Sequence, residues 1–225
     1  MTHIDFHLDF VSPYAYLAFE RLPEVLEGLS CEVAYKPIVL GALFRHHGHT
    51  PPVTLPAKRT WIYRHALWLG QAHGIPIELP AAHPYDPLPH LRLALATTHD
   101  GAISRLVAET IFRDIWRGGG ADAVDPARLA QLAQRLPPAV RDGQGEAARA
   151  QLRANTAEAI ASGVFGVPAC VAEGRLFWGF EGLEMLRAAL RGEAWFDGPS
   201  WHDADRLVST IDAAGRRTTG SEPVA

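Results

Sequence analysis

A strand that ends in a serine–proline turn sets the fold of this chain. Residues 3–10, HIDFHLDF, place Ile4, Phe6, Leu8 and Phe10 between polar residues, the two-residue period of a strand with one buried face. Val11-Ser12-Pro13 ends it. Proline has no N–H to satisfy and a φ suited to a helix, so Pro13 opens one. Ser12 then takes the N-cap, its hydroxyl near the first unpaired N–H groups. The helix runs from Pro13 to Leu26, with Leu17, Ala18, Leu22 and Val25 on one face. Residues 31–40, CEVAYKPIVL, form a second apolar run with β-branched members. Strand–helix–strand implies a parallel pair with a right-handed crossover.

The middle of the chain changes character. Residues 45–57, RHHGHTPPVTLPA, read as a loop. Lys58 to His73 carries Trp61, Ile62, His65, Ala66 and Leu69 as a helical stripe. Trp61, Trp68 and Trp116 are expected in the core. Residues 74–90 hold Pro76, Pro80, Pro84, Pro87 and Pro89 and read as irregular chain. Helices are predicted at 90–98, 102–117 and 126–136, the last opened by Asp125-Pro126, and again from Glu146 to Ser162. The end returns to β-structure. Ala169–Ala172 and Arg175–Trp178 flank Glu173-Gly174, a hairpin turn. A closing helix follows from Glu181 to Leu190. Trp195, Phe196 and Trp201 give the tail something to pack, and its last ten residues read as disordered.

The order βαβ, helical block, ββα is an α/β thioredoxin-like core with a large all-helical insertion. Residues 1–44 and 163–200 make the core, 45–162 the insertion and 201–225 the tail. Val167-Pro168 stands at the entrance to the third strand, a candidate cis peptide. Opposite it the fold places the N-terminus of the first helix.

Composition narrows the function classes. Lys plus Arg is 21 against 25 Asp plus Glu, a formal charge of −4. That balance has no general attraction for nucleic acid or anionic membranes. The first twenty residues lack a signal-peptide apolar stretch. A soluble, cytoplasmic chain is expected. Two cysteines, Cys31 and Cys170, make no disulfide framework and no C-x-x-C pair. The expected strand order separates them by one strand, so they are not expected to be bonded. His46, His47 and His49 invite a metal reading. Adjacent histidines point apart in extended chain, and no carboxylate or cysteine lies nearby in sequence. No metal is expected.

Four motifs resemble one family. D-F-V-S-P-Y-A-Y-L (9–17), P-P-x-x-L-P-A-K (51–58), G-V-F-G-V-P (163–168) and F-W-G (177–179) occur in order. Together they resemble the 2-hydroxychromene-2-carboxylate isomerases, relatives of kappa-class glutathione transferases within the DsbA-like thioredoxin superfamily. The likeness runs over residues 3–200. It implies glutathione as cofactor, a small aromatic second substrate and a homodimer. Neither a nucleic acid nor a membrane partner is expected.

The chemistry of the residues agrees. A helix N-terminus supplies unpaired N–H groups and partial positive charge, which lowers the pKa of a thiol held there. Ser12-Pro13-Tyr14-Ala15 has no thiol of its own. A serine hydroxyl is a poor redox group but a good donor to a thiolate from another molecule. Ser12 is thus the candidate catalytic residue, the alternative being an N-cap alone. The resemblance implies that Val167, before Pro168, pairs its backbone with the cysteinyl unit of glutathione. It places Phe180 and Glu181 at the γ-glutamyl end. Glu181 can pair with the ammonium group, or serve only as a favourable charge at a helix start. Phe180 offers a backbone N–H where relatives have a small or amide side chain, and Gly182 replaces a common Arg. His49 stands where the family has Asn and can donate to a carboxylate. Lys58 matches the family lysine and can meet the glycyl or a substrate carboxylate, or remain a surface lysine. Tyr14, Lys36 and Asp86 are the candidate substrate residues. Asp86 stands where relatives often have Asn.

Three functions follow as expectations. The first is reversible thiolate addition that isomerises 2-hydroxychromene-2-carboxylate to trans-o-hydroxybenzylidenepyruvate, as in naphthalene catabolism. The second is a kappa-like transferase or peroxidase that consumes glutathione. The third is a non-catalytic glutathione-binding protein.

Overall fold

A computed structural model describes residues 1–209. The first compact unit, Met1–Arg187, is built on a four-stranded sheet. β1 (Thr2–Leu8), α1 (Pro13–Val25) and β2 (Cys31–Pro37) open it. β3 (Ala169–Ala172), β4 (Arg175–Trp178) and α8 (Gly182–Leu190) close it. Between β2 and β3 run α2 (Leu40–His46), α3 (Pro56–Ala72), α4 (Leu88–Ala96), α5 (Arg105–Trp116), α6 (Pro126–Arg135) and α7 (Glu146–Ala161). The strand order is β2-β1-β3-β4. β1 pairs with β2 in parallel, while β1–β3 and β3–β4 are antiparallel. This is the thioredoxin-like order read from the sequence. It sets β1 between the strands of Cys31 and Cys170, and both thiols are unbonded.

Alternation along the strands decides what covers each face. Ile4, Phe6 and Leu8 are fully buried. Phe6 and Tyr35 meet edge to face, and Phe19 of α1 meets Tyr35 in the same way. Asp5 and Lys36 point to the other face, where Glu158 of α7 reaches Lys36 at 2.6 Å. The insertion is sewn to the core by polar bonds. Arg113 of α5 and Arg117, just after it, both pair with Glu20 of α1. Asn155 of α7 donates to the carbonyls of Pro37 and Gly101. Ile103 bridges to Tyr35 and covers the outer edge of β2.

One stretch departs from the sequence reading. Residues 38–40 were expected to continue the second strand, with a loop from 45. The chain leaves β2 at Pro37 and coils into α2 instead. The reason is tertiary. The carboxylate of Asp9, on the neighbouring β1 loop, accepts from the Leu40 N–H at 2.9 Å and caps α2 from outside its own sequence.

Residues 188–209 fall in a second compact unit. Trp195, Phe196 and Trp201 pack ring to ring there, 5.0–5.7 Å between centroids. The expectation of disorder in the last ten residues lies outside the described residues. Among the described residues, no helix is long and apolar enough to cross a membrane.

Candidate functional site

The turn between β1 and α1 is held from three sides. Ser12 is 6% exposed. It takes the extended N-cap conformation, with Pro13 in the first helical position and the Ala15 N–H donating to its Oγ at 3.2 Å. Beneath it, Asp9 is fully buried and accepts from the Val11 and Leu40 N–H groups. Loss of water around this carboxyl outweighs those two bonds and raises its pKa to about 7, with the charge of Asp86 adding to the rise. From the insertion, Tyr85 donates to the Phe10 carbonyl at 2.9 Å. His83 Nε2 donates to the Val11 carbonyl at 2.6 Å, and burial lowers the His83 pKa. Trp116 also donates to Phe10, at 3.1 Å. The 83–86 segment thus grips the two residues before Ser12.

The second half of the chain faces the same turn. The Val167–Pro168 bond is cis, as the sequence suggested. The Val167 carbonyl lies 3.5 Å from Ser12 Oγ and accepts from it. Pro168 accepts from the Gly179 N–H at 3.0 Å. Gly179 has a φ of 89° and lies under the Glu181 carboxylate, where a Cβ would come within 2.8 Å of an oxygen. At that φ a side chain strains the backbone, and its Cβ would push the Glu181 carboxylate aside. Ser12, Val167, Pro168, Gly179 and Glu181 therefore form one connected row across the ends of β1, β3 and β4. Glu181 is exposed in the turn that starts α8, where the Glu184 N–H donates to its carbonyl at 3.3 Å.

The remaining expected residues divide. Tyr14 is placed beside this row. Its hydroxyl meets His65 Nδ1 at 3.0 Å, and its pKa is raised first by burial and then by the charge of Glu181. Lys58 is exposed in the first turn of α3, a helix whose N-cap Leu55 offers no side-chain acceptor. Its charge adds to that helix end, a combination suited to a carboxylate. His49 is exposed, and its N–H closes α2 on the Phe44 carbonyl at 2.8 Å. Its neighbour His47 donates to the Val164 carbonyl at 3.4 Å, tying this loop to the segment before Val167. Phe180 packs its ring 5.0 Å from that of His73 at the end of α3. Asp86 is exposed and accepts from the Leu88 N–H. Lys36 is a correction. It was expected to face the cleft, but it lies between Asp5 at 3.1 Å and Glu158 at 2.6 Å on the α7 face of the sheet. Two carboxylates already take up its charge.

Two further departures concern residue placement. Trp61 and Trp68 are 66% and 60% exposed, not core. Trp116 is fully buried, as expected. Helix α3 carries two stripes about 125° apart: Ala66, Leu69 and Gly70 face inward, while Trp61, His65 and Trp68 face out. Periodicity reveals a stripe but not which of two the core selects. Asp9, His65 and His83 were not singled out. Each has a polar group answering another element, a signal that no local pattern carries. Among the described residues no cluster of three His, Cys, Asp or Glu could hold a metal.

The donor set fits a tripeptide thiol. A hydroxyl and a helix end suit a thiolate, backbone at Val167 suits a peptide unit, and Glu181 suits an ammonium. A 2-hydroxychromene-2-carboxylate isomerase from Sphingobium xenophagum is 28% identical over 199 residues, covering 83% of this chain and 97% of that protein. Glutathione S-transferase kappa 1 from Rattus norvegicus is 24% identical, covering 87% and 93%. A solved 2-hydroxychromene-2-carboxylate isomerase superposes with a TM-score of 0.67 at 22% identity, over 92% of this chain and all of that one. A probable DsbA oxidoreductase from Streptomyces coelicolor superposes with a TM-score of 0.57 at 17% identity, over 86% and 91%. The family model of the DsbA-like thioredoxin domain matches residues 3–191, and the chain belongs to that family.

Proposed function

We propose that the chain is a glutathione-dependent isomerase of an aromatic-degradation intermediate, converting 2-hydroxychromene-2-carboxylate to trans-o-hydroxybenzylidenepyruvate. One observation carries the reading: a serine hydroxyl stands at the N-terminus of α1, 3.5 Å from the Val167 carbonyl. A bond that long is weak, so the Ser12 proton is available to a better acceptor. A thiolate placed there receives the O–H and the positive end of α1 together. The chain's own thiols do not compete. Burial raises the Cys170 pKa to about 12 and also raises that of Cys31. The relatives named as isomerases over most of their length support the same choice.

When bound, glutathione supplies the thiolate that adds reversibly to a conjugated carbon of the substrate. The chain holds both molecules in reacting geometry. Ser12 and the end of α1 stabilise negative charge on sulfur. Val167 and Pro168 present backbone to the cysteinyl unit. Glu181 and the Phe180 backbone meet the γ-glutamyl end, and Lys58 and His49 meet a carboxylate. Tyr14 and Asp86 border the second substrate. Product analysis tests the reading. An isomerase turns over the chromene carboxylate while total free glutathione stays constant. Loss of thiol in step with turnover would replace it with the transferase reading, and binding without either reaction would leave a glutathione-binding protein.

A further inference from the structure

Helix α3 carries a stripe that the core leaves bare. Lys58, Trp61, His65 and Trp68 follow one another at steps of three, four and three residues, the spacing that sets side chains next to each other on one helix face. The His65 ring stands between the two indoles, with 6.1 Å between centroids and 15° between planes on each side. Lys58 and both tryptophans are exposed. The stripe adjoins the thiol site. Tyr14, two residues beyond Ser12, meets His65 Nδ1 with its hydroxyl at 3.0 Å, and the two rings are 5.6 Å apart. At the other end of α3, His73 packs its ring 5.0 Å from that of Phe180. Helix α3 is thus fastened at two points to residues beside Ser12 and Glu181.

Charge decides what stacks on this face. Helix α3 holds Lys58, Arg59 and Arg64 and neither Asp nor Glu, and its N-terminus has no side-chain cap. Both features favour an anion at the Lys58 end. One turn further on, Trp61 offers that anion a flat apolar surface. Trp68 is ten residues from Lys58, about 15 Å along the axis, too far to share a small ligand with it. We propose that Lys58 and Trp61 hold the aromatic second substrate. Its carboxylate pairs with Lys58 and its planar ring stacks on the Trp61 indole. His65 backs that indole and is anchored in turn by Tyr14, which ties the platform to the turn that carries Ser12. The choice of an aromatic carboxylate as occupant rests on the isomerase reading above. Trp61 then sets the preference for a planar ring and Lys58 the preference for an acid.

The test measures binding, not turnover, and uses 2-naphthoate as a stable bicyclic aromatic acid. Calorimetry on the full chain compares it with decahydro-2-naphthoate, which keeps the acid and loses the aromatic face, and with 2-naphthamide, which keeps the face and loses the charge. The wild type is expected to favour 2-naphthoate by about fivefold over the saturated acid and by about threefold or more over the amide. Trp61→Leu should erase the first preference and leave glutathione affinity within about twofold. Trp61→Phe should retain most of it, and Trp68→Leu should change it by less than Trp61→Leu. Lys58→Gln should erase the second preference, and this arm carries the test if thermal melts show that Trp61→Leu fails to fold. Glutathione binding without 2-naphthoate binding, or preferences unmoved by Trp61→Leu and Lys58→Gln, would overturn this inference and leave the glutathione reading standing. A chain that binds 2-naphthoate with these preferences and does not bind glutathione would leave the aromatic site and remove that reading. A sedimentation coefficient that falls in Trp61→Leu would make the stripe a contact between two copies of the chain and overturn the proposal.

Discussion

Asp9 and Ser12 are three residues apart and meet opposite electrostatic conditions. Ser12 is a neutral donor set where negative charge is welcome. Asp9 is an acid sealed from water, and burial raises its pKa to about 7 although two N–H groups favour its charged form. Between about pH 4 and 7 the folded chain therefore keeps a proton that the unfolded chain has released. The Asp9 contribution to stability is largest in acid and falls as pH rises through 7. His7 and His90 act in the other direction. Burial lowers both to about 4, so they favour the folded state above about 6.5 and lose that contribution as pH falls toward 4. Comparing wild type with Asp9→Asn cancels the histidines. The Asn variant should gain melting temperature over the wild type as pH rises from 4 to 7, and the gain should level off above. Parallel melting curves across that range would mean that Asp9 is not protonated in the fold. Ser12 was legible because proline marks a helix start and serine caps it. Asp9 was not, because its partners are Val11 and a helix thirty residues on.

At the scale of elements, the 83–86 segment ties the insertion to the turn between β1 and α1, through His83 and Tyr85. It brings Asp86 to where its charge is felt by buried Asp9. A second carboxylate near a substrate carboxylate costs about 1 kcal/mol at 4 Å in water and more when partly buried. Asp86→Asn keeps an oxygen to accept from the Leu88 N–H and removes the charge. The kcat/KM for the chromene carboxylate at saturating glutathione should then rise by about fivefold. An unchanged value would place Asp86 outside the substrate site. The helices of the insertion were legible within two or three residues, because their apolar periods and caps are local. Ser104 and Asp125 illustrate this: each stands within two residues of the predicted start. Helix α2 was missed because its cap comes from β1. The two tryptophans of α3 were misplaced because a helix with two apolar stripes can offer either to the core.

At the scale of the whole molecule, the strand order follows from one parallel crossover and one hairpin. It carries a simple chemical consequence. Cys31 and Cys170 lie on strands separated by β1, about 10 Å apart from strand spacing alone, beyond the roughly 7 Å a disulfide tolerates. Mass analysis of unreduced protein should find two thiols, and a native bridge would contradict the sheet order. The same topology explains why the site was only partly legible. Ser12 comes from residues before the insertion, and Val167 and Glu181 from residues after it. The motifs marked each end, but only the fold shows that a Ser12 proton points at Val167 and that Lys36 is spent on Asp5 and Glu158. The central claim is that this junction stabilises a thiolate brought by another molecule. Thiolate absorbance titrated for glutathione with and without saturating protein tests it most directly. The apparent pKa of the bound thiol should lie below that of glutathione in solution. Ser12→Ala should bring it back up by roughly one to two units, the equivalent of about 1.5–3 kcal/mol for a hydrogen bond to a charged group. A bound thiol with the same pKa as in solution, or one unmoved by Ser12→Ala, would contradict the account.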